Sequence, residues 1–154
     1  MKPIAIVAAL AAAALLAAAP AGFEMWKGSQ LRGFTKELAP KVNAQKVATQ
    51  QLAKFGNHLV MVAHREGDGE AELHETQADV FVVQSGAGTL IVGGTMVNGR
   101  NTAPGEVRGP SINGGEKRSL GPGDIVNIPS KIPHQVLVAS GQQITYAIVK
   151  IDEK

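Results

Sequence analysis

The chain has 154 residues, no cysteine, and a formal charge of +2 from 15 basic and 13 acidic side chains. That length suits one domain better than two, so any site must be built within a single core or across an oligomer interface. The lack of cysteine excludes disulfides, thiolate catalysis and Cys-zinc sites, and charges of both signs scattered along the chain leave no footprint for nucleic acid.

Met1-Lys2-Pro3 leads into an apolar run from Ile4 to Ala19, and Ala19-Pro20-Ala21 supplies the small residues of an A-x-A cleavage site ahead of Gly22. Residues 1–21 therefore read as a secretory signal peptide. The run is shorter than the ~20 residues of a spanning helix, so the expectation is an exported protein, periplasmic or secreted, with no membrane attachment after cleavage.

Residues 22–57 read as a helical extension. SQLRGFTKEL follows Ser29 as an N-cap, and VNAQKVATQQLAKFG offers Val47, Leu52 and Phe55 with Gly56 as a stop. From His58 the apolar period changes to that of strands, so residues 58–154 read as an all-β domain: HLVMVAHRE, EAELHE, DVFVVQSG and GTLIVGGTMV, then GDIVNIP, HQVLVAS and QITYAIVKI. Residues 99–122 are Gly/Pro-rich and polar, which predicts a long excursion with one short strand. Short strands at this density argue for a closed sandwich or barrel. Apolar edge positions in TLIVGGTMV and ITYAIVKI predict that the barrel pairs with itself as a homodimer. GAGTLIVGG lacks the βαβ setting of a dinucleotide site, and Ser85 lacks the glycine spacing of a nucleophile elbow.

The chemistry concentrates in ELHETQADVFVVQSG. On a strand Glu72 and His74 share a face, and Asp79, Phe81 and Val83 share another. A turn or bulge at ETQA would bring Asp79 back beside His74. Far along the chain, His134 opens a strand after two prolines. Two imidazoles with a carboxylate, His74, His134 and Asp79, form a ligand set for non-haem iron or catalytic zinc. Glu72 is either a fourth ligand or a catalytic proton carrier, and the alternative to a metal is a polar pocket in which the histidines hydrogen-bond the carboxylates. Further pocket candidates are His64 or Arg65, Phe81 and Asn127. If the strands on either side of Gly67-Asp68-Gly69 form a hairpin, a two-residue loop sets Arg65 opposite Glu72 and a three-residue loop sets His64 there; if they do not pair, His58, His64 and Arg65 are surface residues.

Two ordered motifs resemble the cupin superfamily. Glu72-x-His74-x4-Asp79-x6-Gly86 has the spacing of the first cupin motif, with Glu72 where its first histidine stands and Asp79 where its glutamate stands. Gly123-x5-Pro129-x-Lys131-x2-His134 matches the second motif, with Lys131 in place of the inner glycine and Val138 in place of the asparagine. The resemblance implies a cupin-type double-stranded β-helix, or jelly-roll barrel, over roughly residues 58–150. It also implies a divalent metal (Fe, Mn, Zn, Ni or Cu) inside the barrel, a small-molecule substrate or ligand, and often a dimer. Cupins include oxygenases, isomerases and lyases as well as proteins that bind without turnover, so the fold does not choose between an enzyme and a binding module.

Overall fold

The computed structural model describes residues 19–153, so residues 1–18 of the expected signal peptide lie outside the described part. One helix, α1 (Gly28–Leu38), and a short 3-10 turn (Ala39–Lys41) precede the strands β1 (Val47–Lys54), β2 (His58–Arg65), β3 (Ala71–His74), β4 (Gln77–Gly86), β5 (Gly88–Val92), β6 (Thr95–Val97) and β7 (Arg100–Ala103). There follow β8 (Glu106–Gly109), β9 (Ser111–Asn113), β10 (Glu116–Leu120), β11 (Ile125–Ile128), β12 (His134–Leu137) and β13 (Ile144–Asp152). They form a five-stranded sheet in the order β1-β2-β13-β4-β11, a six-stranded sheet in the order β10-β5-β12-β3-β8-β7, and a two-stranded ribbon β6-β9.

Period-two alternation decides which side chains enter the barrel. Along β13, Ile144, Tyr146 and Ile148 join Ala63, Phe81 and Val83 of the same sheet and Leu90, Leu120 and Val136 of the facing sheet in one buried cluster. The two sheets therefore close on each other as a jelly roll. The opposite face of β13 carries Ala147, which packs with Ala48 and Val62 against Phe34 and Leu38 of α1. Phe34 and Leu38 stand four residues apart on one helix stripe, so α1 lies on the outer face of the five-stranded sheet. Thr35 Oγ1 donates to Thr145 Oγ1 at 3.0 Å and lies 2.8 Å from Ser85 Oγ, which ties the helix to β13 and β4.

Several expectations need correction. The helix begins at Gly28 with Lys27 as its N-cap, not Ser29, and the Lys27 N–H donates to Gln30 Oε1 at 2.8 Å. The second expected helix is instead β1, paired antiparallel with β2 from Val47↔Arg65 to Lys54↔Leu59. Its alternate residues Val47 and Thr49 face the barrel cavity while Ala48 faces α1, so cross-strand pairing overrides the helical spacing of Val47, Leu52 and Phe55. The excursion at 99–122 holds four short strands, β7 to β10, because glycines such as Gly105 and Gly114 supply positive-φ turns between strands and not a loop. Of the strands that predicted self-pairing, β5 (TLIV) lies between β10 and β12 and β13 (ITYAIVKI) between β2 and β4, so both are internal, and TMV, as β6 of a two-stranded ribbon, keeps a free edge.

Candidate metal centre

Three cross-strand registers assemble the site. β12 opposes His134 to Glu72 on β3, β8 opposes Glu106 to His74 and Arg108 to Glu72, and β4 opposes Asp79 to Lys150 on β13. The Glu75-Thr76 turn carries the chain from β3 in one sheet to β4 in the other, which swings Asp79 across the barrel onto His74 as the ETQA spacing predicted. Gly86 ends the first motif at φ 79°, where a Cβ would stand 2.0 Å from the Gln143 carbonyl oxygen, so no other residue fits there. In the second motif Lys131 takes the left-handed φ of 63° that the usual glycine adopts freely, and its N–H donates to the His74 carbonyl at 2.7 Å. That bond ties the approach to His134 directly to the strand that carries His74.

Glu72, His74, Asp79 and His134 each offer a ligand atom, and these atoms all lie within 4.8 Å of one another. His74 Nε2 is 3.2 Å from Asp79 Oδ2 and 3.7 Å from Glu72 Oε2. His134 Nε2 is 3.6 Å from Asp79 Oδ2 and 3.9 Å from Glu72 Oε2, beyond hydrogen-bond reach. Atoms held about 2.1 Å from one cation stand about 3 to 4 Å apart, so the spacing suits a shared ion.

The outer partners fix the tautomers. His134 Nδ1 donates to the Ile132 carbonyl at 3.1 Å, which turns Nε2 inward, and that buried Nε2 has no hydrogen-bond partner among the described residues. His74 Nδ1 contacts Glu106 Oε2, the carboxylate–histidine arrangement that orients metal-binding imidazoles. Glu72 divides its oxygens: Oε1 accepts from Arg108 Nη1 at 2.8 Å and from Arg65 Nη2 at 3.4 Å, while Oε2 faces the two histidines.

Lys150 adds an internal cation. Its Nζ donates to Asp79 Oδ1 at 2.9 Å and Oδ2 at 3.1 Å, and lies 2.8 Å from His74 Nε2. Burial opposes charge on Asp79, but contacts with His134, His74 and Lys150 overcome it and hold the carboxyl well below the usual range. For His74, burial again opposes charge, whereas Asp79 and Glu106 favour it and raise the imidazole to about 9. The Lys150 contact nevertheless requires a lone pair on Nε2, so it belongs to the neutral ring with its proton on Nδ1 toward Glu106, the form a metal ligand takes.

The site opens into a cavity of about 220 Å³ lined by Arg65, Phe81, Arg108, Tyr146, Ile148 and Lys150 beside Glu72, Asp79 and His134. Arg65 Nε donates to the buried Tyr146 hydroxyl at 2.9 Å, and Phe81 sets its edge against His134 with ring centroids 6.2 Å apart. Arg65 and Phe81 thus stand where the sequence reading placed them. The other two pocket candidates do not. His64 points to the opposite face of β2, where Nδ1 meets Thr145 Oγ1 at 2.8 Å and Nε2 meets Glu66 at 3.3 Å, and it is only 1% exposed. Asn127 is exposed on β11 and lines a surface groove. Neither hairpin register applies, because β2 and β3 lie in different sheets; Arg65 reaches Glu72 across the barrel and is not a surface residue.

Sequence reasoning missed Lys150, Glu106, Arg108 and Tyr146. A signal existed for two of them: Tyr146, Ile148 and Lys150 alternate along ITYAIVK on the inward face. Glu106 and Arg108 are also i and i+2, but lie in the glycine-rich stretch whose expected reading is an excursion with one short strand.

No protein-family model and no curated protein sequence matches the chain. Among solved structures it is similar to TT1209 from Thermus thermophilus, with 20% identity over 77% of this chain and 94% of that one and a TM-score of 0.55. It is also similar to Streptomyces PAC13 with uridine, related to a structure described as a nucleoside dehydratase, at 10% identity over 73% and 74% of the two chains and a TM-score of 0.52. KdgF from Halomonas sp. is 16% identical over 71% and 82%, with a TM-score of 0.51. At these identities the likeness shows the fold alone, and the fold is that of the cupins.

Proposed function

We propose that the barrel holds one divalent cation on Glu72, His74, Asp79 and His134 and acts on a small molecule admitted to the adjoining cavity. The observation that carries this reading is His134 Nε2, buried, unpartnered and aimed at three other donor atoms. A buried polar group left unpaired costs about 1–3 kcal/mol, and a cation at the shared centre removes that deficit. When bound, such a cation polarises a substrate oxygen or lowers the pKa of water.

The chain's own residues prepare that chemistry. Arg65 and Arg108 hold Glu72 Oε1 so that Oε2 stays turned inward. Glu106 and the Ile132 carbonyl keep the imidazole protons on Nδ1, away from the ligand nitrogens. Phe81 and Ile148 line an apolar wall that limits water at the reacting position. A nucleoside dehydratase among the similar structures supports a small molecule as the occupant.

Elemental analysis of protein purified without a metal-affinity tag is expected to find near-stoichiometric Fe, Mn, Zn, Ni or Cu, lost in His134→Ala. A protein that carries no metal and takes up none on titration defeats the proposal. That outcome favours the second reading, a binding module without turnover, for which the Lys150 ammonium lying against His74 and Asp79 is the supporting observation.

Export is part of the proposal, on the strength of the apolar run and the A-x-A site before Gly22. Intact-mass measurement of the exported protein is expected to show a chain starting at Gly22. A species that retains residues 1–21 and stays with membranes makes the leader an anchor instead.

A further inference from the structure

The groups around the metal position have a charge pattern that selects the ligand. Three carboxylates surround the histidines, Glu72 and Asp79 on the inner side and Glu106 behind His74, and three cations answer them, Arg65, Arg108 and Lys150. Glu70, the remaining acid at the cavity wall, is paired with Arg100 at 2.7 Å. With both histidines neutral, as metal ligands must be, the three carboxylates and two guanidiniums carry one net negative charge around a bound metal. A divalent cation therefore leaves an excess of one positive charge in a largely enclosed space, and of two while the Lys150 ammonium stays beside it.

The same arginines guard the entrance. Outside the inner cavity lies a wider vestibule of about 600 Å³, and Val47, Arg65, Glu70, Arg108 and Gln135 line both spaces. Gln135 is buried and donates to the Gly69 carbonyl at 2.8 Å, which braces the vestibule wall. Gly69 leaves room for the Arg65 guanidinium, since a Cβ there would stand 2.7 Å from Nη1. Arg65 commits Nε to Tyr146 and Nη2 to Glu72, and Arg108 commits Nη1 to Glu72 and Nη2 to Glu106. Each guanidinium retains N–H groups for another acceptor, and Arg108 is 31% exposed at the mouth.

Resting on the metal reading above, we infer that the ligand is a small carboxylic acid, with one anionic end at the metal position and a second on the Arg65–Arg108 pair. A cavity of about 220 Å³ holds roughly seven non-hydrogen atoms by the volume of liquid water, the size of a short dicarboxylate. A planar guanidinium binds a carboxylate in two parallel hydrogen bonds and so reads geometry as well as charge. An uncharged molecule of the same shape leaves the excess charge uncompensated.

The test is calorimetric titration of the Mn2+-loaded protein with malonate and with its neutral isostere malonamide, each repeated on the metal-free protein and on Arg108→Met. Metal affinity is measured in parallel on both proteins. The expected result is malonate binding at least tenfold tighter than malonamide, only in the loaded protein, and reduced at least tenfold in Arg108→Met that still takes up Mn2+. Loaded protein that binds malonate no better than malonamide overturns the inference and leaves the metal reading standing. Arg108→Met that holds both Mn2+ and malonate as the unchanged protein does removes the arginine pair from ligand recognition. Failure of the unchanged protein to bind Mn2+, Fe2+ or Zn2+ overturns the metal reading, and the inference with it.

Discussion

Replacing Lys150 with methionine is expected to destabilise the metal-free protein by about 3 kcal/mol and to leave the metal-loaded protein close to the unchanged one. The Lys150 ammonium bonds both oxygens of Asp79, whose side chain is 2% exposed, and touches His74 Nε2, which is where a metal would bind. Its removal leaves a buried carboxylate beside Glu72 with no cation against it, facing the His74 and His134 imidazoles. Losing one partner of a buried pair costs about 3–5 kcal/mol; the low end applies because His74 still faces Asp79 at 3.2 Å. For an m-value of about 2 kcal/mol/M, the urea midpoint falls by roughly 1.5 M.

A bound cation takes over the electrostatic task of the ammonium, since both meet Asp79 and His74. By linkage, whatever the ammonium contributes to the metal-free state must be given up when metal enters. Lys150→Met is therefore expected to bind Zn2+ or Mn2+ about a hundredfold more tightly, because each tenfold in affinity corresponds to about 1.4 kcal/mol. The check is urea unfolding with chelator and with excess metal, together with direct metal titration. An equal loss of stability in both conditions makes Lys150 a strut outside the metal's place, and no loss in either means the buried pair contributes nothing.

How much of this was legible in the sequence depends on how each side chain reaches the site. Glu72, His74, Asp79 and His134 carry a local spacing or a flanking turn that betrays them, and the jelly roll itself could be read from alternating runs separated by glycine and proline. Glu106, Arg108 and Lys150 arrive by register. Nothing near Lys150 in the chain says that β13 will pair with β4 so as to set it opposite Asp79, nor that β8 will set Glu106 opposite His74. β1 was misread for a related reason. Its spacing fits a helix, and only the neighbouring strand β2 decides against one. Neither loop register considered for Gly67-Asp68-Gly69 applies, because β2 and β3 lie in facing sheets, yet Arg65 meets Glu72, since facing sheets bring inward residues together as a hairpin would.

Glu106→Gln is expected to lower metal affinity by about 10–100-fold, the range seen when a group that orients a metal-binding imidazole is removed. The Glu106 carboxylate accepts the Nδ1 proton of His74 and thereby holds Nε2 as the lone-pair nitrogen that faces Asp79 and Glu72. It is itself held by Arg108 Nη2 at 2.6 Å, and although burial opposes its charge, His74 and Arg108 keep its pKa below the usual glutamate value. An amide in its place can still accept one hydrogen bond, so the ring keeps its position, but the charge that makes Nε2 a stronger donor is lost. Glu70→Gln serves as the control: it breaks the exposed Arg100 pair, where surface ion pairs contribute about 0–1 kcal/mol, and is expected to leave metal affinity unchanged. The distinguishing measurement is metal titration beside urea unfolding of the metal-free forms. A role in orienting the ligand predicts a fall in affinity well beyond any change in metal-free stability. If Glu106→Gln binds metal as the unchanged protein does, the His74 tautomer is set without it, and the contact between β8 and β3 serves only to pair the strands.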